Sequence, residues 1–125
     1  MKLIIGGAFQ GKKEYAKKTF EITKWADGMV CSEEEIFAAE GVLHFHEYIK
    51  RLIHEDRDPR IFAKELMQKN PNVILVTNEL GCGVVPVDAF DRKYREATGR
   101  VCTDLAAYSD QVIRVFCGIG QVIKG

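Results

Sequence analysis

The sequence has no excess of charge of either sign: eighteen Lys and Arg stand against eighteen Asp and Glu, for a formal net charge of zero. Such a chain has no global field to attract nucleic acid or an anionic membrane, so neither is expected as a partner and any anion binding must be local. No apolar stretch approaches the ~20 residues that span a bilayer. Cys31, Cys82, Cys102 and Cys117 are scattered without a C-x-x-C pair, and nothing resembling a leader precedes the first apolar run, so reduced thiols and a cytoplasmic location are expected. There is no internal repeat and no low-complexity tract. What remains is a chain of 125 residues, 46% of them hydrophobic, enough for one ordinary core and one domain over 1–125.

What is present is concentrated first at the amino end. Lys2-Leu3-Ile4-Ile5 reads as a buried strand, and Gly6, Gly7, Ala8, Phe9, Gln10, Gly11, Lys12 and Lys13 follow it into a helix. Gly6, four residues, then Gly11-Lys12 is the spacing of a phosphate-binding loop, whose backbone N–H groups wrap an anion while the lysine adds charge. The helix N-terminus behind it points the same way. Such loops normally end in Ser or Thr, whose hydroxyl ligates Mg²⁺. Lys13 stands there instead, and an ammonium has no lone pair to offer a metal. The plainer alternative is that these glycines only turn a strand into a helix.

Further along, 12–23 reads as a helix and Asp27-Gly28 as a turn. Met29-Val30-Cys31 is a candidate second strand, and Ser32 is the N-cap of a helix opening with Glu33-Glu34-Glu35. A helical spacing of Val42, Phe45, Ile49, Leu52 and Ile53 predicts a helix over 42–54. On it His44 and His46, two apart, would face roughly opposite ways and make poor partners for one metal; each is read first as structural or at the surface. Asp58-Pro59 starts a helix that carries Phe62, Leu66 and Met67 inward and ends near Asn70-Pro71.

Val73-Ile74-Leu75-Val76 has the continuous apolar character of a central parallel strand. Behind it Thr77-Asn78-Glu79-Leu80-Gly81-Cys82-Gly83-Val84-Val85-Pro86 puts polar groups and glycines at a strand's carboxyl end, where open α/β sheets bind ligands, although an ordinary connection would look similar. Val87-Asp88 opens a long helix to about 107 or 108, which Gly99 could divide. Gln111 to Phe116 is a strand, Gly118-Ile119-Gly120 a turn, and 121–124 an antiparallel edge strand. The fold class expected is α/β: a P-loop NTPase-like three-layer sandwich, mostly parallel.

Several of these stretches together resemble one family. Gly6-Gly7-Ala8 with Gly11-Lys12, the run from Leu75 to Pro86, Tyr94-Arg95-Glu96 with Gly99-Arg100-Val101, Leu105-Ala106-Ala107 with Ser109-Asp110, and Gly118-Ile119-Gly120 look like the adenosylcobinamide kinase/adenosylcobinamide-phosphate guanylyltransferase family of cobalamin synthesis. The resemblance implies GTP or ATP in the loop and commonly a homotrimer. It also implies phosphorylation of the aminopropanol hydroxyl of adenosylcobinamide, then transfer of GMP through a guanylylated histidine. Carried over by position, Gly6 to Lys12 would hold the triphosphate, with Lys12 on its outer phosphates. Asn78 and Glu79 would face the cleft, Glu79 as a base or metal ligand. His46, and after it His44, is the candidate histidine.

Two further classes stay open. Lys13 in the metal-ligating place, Val101-Cys102-Thr103-Asp104 without the Asn-Gln frequent in the family, and little counterpart to its histidine-bearing segment are compatible with a catalytically impaired homologue that binds nucleotide or corrinoid and regulates a full-length enzyme. A scaffold that binds nothing is the other. With Lys13 beside Lys12, nucleotide affinity is expected to depend little on Mg²⁺.

Overall fold

The strand Lys2–Gly6, β1, lies between two parallel neighbours, and its apolar residues are covered on both faces: Leu3 belongs to one core cluster and Ile4 to the other. The computed structural model describes residues 1–79 and 88–125; the stretch from Leu80 to Val87, including the expected Gly81-Cys82-Gly83 loop, lies outside them.

After β1 come α1 (Lys12–Thr19), β2 (Trp25–Asp27), α2 (Glu33–Ala38), β3 (Gly41–Leu43), α3 (Phe45–His54), α4 (Pro59–Lys69) and β4 (Ile74–Asn78), then α5 (Ala89–Tyr108), β5 (Gln111–Phe116) and β6 (Ile119–Lys124). The strands form one sheet in the order β2-β3-β4-β1-β5-β6, parallel except for the last pair. One face carries the larger core, with Phe45, Ile49, Leu52, Phe62, Leu66, Val101 and Leu105 from α3, α4 and α5. Ala16 of α1 packs on the other face with Ile4, Ile74, Val76 and Ile113. This is the expected three-layer, P-loop NTPase-like α/β sandwich. The helix after β1 leaves to one face and the helix preceding β5 lies on the other, so the carboxyl ends of β1 and β4 border a topological switch point.

Local signals explain most boundaries. Ser32 accepts from the Glu35 N–H at 3.2 Å and the Glu35 carboxylate returns to the Ser32 N–H, completing a capping box. Asp58 caps α4 with Pro59 in its first turn, and Asp88 caps α5 through the N–H groups of Phe90 and Asp91. Gly99 does not divide α5. The hairpin turn is Cys117-Gly118, with φ of 52° and 75°, a pair of positive values that suits the right-handed twist of the flanking strands; β6 therefore begins at Ile119 rather than 121.

Three further expectations are corrected. Helix α1 stops at Thr19, short of 23. The second strand is Trp25–Asp27 and not 29–31: the Asp27 carboxylate accepts the Met29 N–H at 3.0 Å and turns the chain, leaving Met29 and Val30 exposed. Residues 42–54 are not one helix, because Gly41–Leu43 pairs with β2 and β4 as β3. Val42 and Leu43 are buried on opposite faces of the sheet, and so short a two-sided strand has no alternation to distinguish it from a helix start.

Candidate functional site

The connection from β1 to α1 is bent by two left-handed residues, Phe9 at φ 61° and Gly11 at φ 83°. Glycine adopts this conformation without penalty at Gly11, whereas a side chain such as that of Phe9 holds it at roughly 1 kcal/mol. Phe9 is fully exposed at the loop apex. The loop is braced from outside: Gln10 takes the Gly118 N–H on its carbonyl at 2.7 Å and the Cys117 N–H on its side-chain oxygen at 2.8 Å. At the start of α1, Lys12 is buried and its Nζ donates to the Gly7 carbonyl at 2.6 Å. Burial pushes the Lys12 ammonium below its ordinary pKa, against the raising effect of Glu79 and Glu14.

A cavity of about 240 Å³ opens over the loop, lined by Ala8 through Glu14 and, from the neighbouring strand ends, by Leu43, His44, His46, Val76 and Asn78. Of the residues singled out in the sequence, Ala8, Phe9, Gln10, Gly11, Lys12, Lys13, His46 and Asn78 therefore meet at one place, with His44. Gly6, Gly7 and Glu79 are not among the lining residues. Gly6 ends β1, and its carbonyl accepts the Glu79 N–H at 2.7 Å. The Glu79 carboxylate accepts from Arg114 at 3.2 Å.

The two histidines differ sharply. His46, in the first turn of α3, is 6% exposed and its Nδ1 accepts the Asn78 backbone N–H at 3.1 Å, which places the ring proton on Nε2. Burial, followed by the charges of His44, Lys12 and Lys50, lowers its pKa to about 4, so the ring is neutral at pH 7. His44 precedes the helix in a left-handed conformation, φ 54° and ψ 44°, without capping it. Its ring is 39% exposed, and its Nδ1 lies 3.0 Å from Asp27 Oδ1. The rings are T-shaped with centroids 6.2 Å apart, not turned to opposite sides, because only His46 belongs to the helix. Burial alone would raise the Asp27 carboxyl; the Met29 N–H, His44 and Lys13 more than offset it and leave the pKa below the usual range.

Asp27 was not singled out in the sequence. The only signal was Asp27-Gly28, an acidic residue before a glycine, read as a turn. Gly28 has a further reason to lack a side chain: a Cβ there would overlap the His44 carbonyl. Lys13 stands at the hydroxyl position of the loop, and its ammonium has no lone pair to offer a Mg²⁺ ion held in the usual way.

The family model for cobinamide kinase / cobinamide phosphate guanyltransferase matches residues 21–123. The chain belongs to this family. Two curated relatives, each named bifunctional adenosylcobalamin biosynthesis protein CobU, are 50% identical in Salmonella typhimurium and 48% identical in Escherichia coli over 52 residues. The match covers 42% of this chain and 29% of each relative, well under two thirds of their length. The matched family span begins after the loop formed by Gly6 to Lys13. Among the described residues, no helix is long and apolar enough to cross a membrane.

Proposed function

We propose that this chain is a nucleotide-binding unit of cobalamin biosynthesis, holding the phosphates of GTP or ATP in the loop Gly6 to Lys13 and transferring a phosphoryl group to adenosylcobinamide. The observation that carries this is the cavity shared by the loop, the buried Lys12 and the polar ends of β3 and β4. Its volume is below the ~300–1,000 Å³ of sites that enclose a whole drug-sized ligand, which suits a polyphosphate tail. Lys12 has its Nζ on a neutral carbonyl that a phosphate oxygen can replace, and the exchange regains charge that burial disfavours. Lys13 adds a second cation where a metal ligand would stand, so the phosphates are neutralised by ammonium groups rather than by Mg²⁺.

In this reading Asn78 orients the nucleotide or acceptor, and Glu79, tied to Arg114, keeps Lys12 charged from behind. His46 is retained as the candidate histidine for nucleotidyl attachment; because Nδ1 accepts the Asn78 N–H and Nε2 carries the ring proton, attachment requires that proton to leave Nε2 or Asn78 to release Nδ1. A homotrimer and a single domain over 1–125 belong to the same proposal, checked by light scattering and by one cooperative unfolding transition. The deciding experiment is titration calorimetry with GTP and ATP, with and without Mg²⁺, on the wild type and Lys12→Ala. Binding that falls at least tenfold in the variant is expected. Binding without phosphoryl transfer to adenosylcobinamide would support a regulatory homologue instead, and no binding would reduce the loop to a turn.

A further inference from the structure

We propose that Asp27 and His44 form the proton-accepting pair for the hydroxyl group that receives a phosphoryl group at the loop. The inference rests on the reading of the loop as a phosphate site and adds to it a base and its orienting carboxylate.

Three observations converge on the pair. A carboxylate can only accept, so at 3.0 Å from Asp27 Oδ1 the His44 Nδ1 carries the proton and Nε2 keeps its lone pair. The half-exposed ring lines the same cavity as Lys12 and Lys13, whereas His46 has its Nδ1 committed to Asn78 and is buried. Finally, His44 is held left-handed at a position before a helix where Gly would be relaxed and Ser or Asp would cap, yet its side chain makes no cap. A residue kept in an unfavourable conformation, and aimed by a carboxylate into a cavity, points to a use for the ring rather than for the helix.

The step balances without a redox partner. The acceptor hydroxyl oxygen forms a bond to the γ-phosphorus as the bond from that phosphorus to the bridging oxygen breaks, and the electron pair leaves with the nucleoside diphosphate. The hydroxyl proton passes to His44 Nε2 and then to solvent. Asp27 acts through His44 and stabilises the imidazolium as it forms.

The test uses the chain with GTP or ATP labelled in the γ-phosphate and adenosylcobinamide as acceptor, alongside calorimetry of nucleotide binding. His44→Gly suits the left-handed backbone, so its Tm should be no lower than that of the wild type. It should bind nucleotide within about threefold of the wild type, lose about 10²–10⁴-fold in kcat and recover at least tenfold with added imidazole. Asp27→Asn should lower kcat with KM little changed. Unchanged kcat in His44→Gly, or no recovery with imidazole, overturns the assignment. A wild type that binds nucleotide and transfers nothing also overturns it and leaves the phosphate site standing; a wild type that does not bind overturns both.

Discussion

The side-chain oxygen of Gln10, in the phosphate-type loop, accepts the backbone N–H of Cys117, at the tip of the β5–β6 hairpin, at 2.8 Å across 107 residues. The turn that ends the sheet thus holds the loop that begins it. Because the donor is exposed, water can replace Gln10 at little cost to stability. Gln10→Ala should change unfolding free energy by less than about 1 kcal/mol, yet lower GTP or ATP affinity several-fold by letting the loop open; equal affinity in calorimetry would show the brace to be incidental.

Gly28 packs against the His44 carbonyl with no room for a methyl group. The obstacle is backbone, which cannot rotate aside, so Gly28→Ala should destabilise the fold by about 1–3 kcal/mol. It should also separate His44 from Asp27, visible as a changed His44 ring resonance in NMR. A variant with wild-type denaturant midpoint would contradict this packing.

His46 has its pKa lowered to about 4 in the fold, against 6.5 for the free group. Between those values the unfolded chain binds more protons, so stability rises with pH from 4 to 6.5 and the contribution is complete above that window. The span amounts to at most about 3 kcal/mol. His46→Asn keeps an acceptor for the Asn78 N–H and cannot titrate. Urea unfolding at pH 4.5 and 7 should therefore differ less in this variant than in the wild type.

Lys13 stands where a phosphate-binding loop ordinarily carries the metal-ligating Ser or Thr. Lys13→Ser supplies the hydroxyl and removes the competing charge, so nucleotide affinity should become at least tenfold stronger with Mg²⁺ than without, while the wild type changes little. A wild type already dependent on Mg²⁺ to that degree would refute charge replacement by Lys13.

Much of the fold was legible where one short-range signal suffices. Val73 to Val76 is apolar on successive residues because both faces of β4 are covered, and the capping groups Ser32, Asp58 and Asp88 mark helix starts through contacts two or three residues away. Residues 41–43 were not legible, since Val42 and Leu43 are buried by different layers and their spacing to Phe45 and Ile49 imitates a helix. For the site, Gly6 to Lys13 could be read because a phosphate-type loop is contiguous. Asp27 could not, because its partner lies 17 residues away.

The sequence by itself determined that β1 runs into a glycine loop carrying Lys12 and Lys13, that β4 ends in polar residues, and that the sheet is mostly parallel with an antiparallel edge. Each of these is a local pattern of burial, turn chemistry or charge. Only the tertiary structure decided which histidine faces the cavity with a free nitrogen. Parallel pairing of β2 with β3 sets Asp27 opposite Leu43, which brings His44 to the Asp27 carboxylate, and the adjoining strand β4 ties His46 to Asn78. Register between strands is fixed by side chains on both faces of the sheet and by the helices that cover them, so no window of sequence around either histidine contains it.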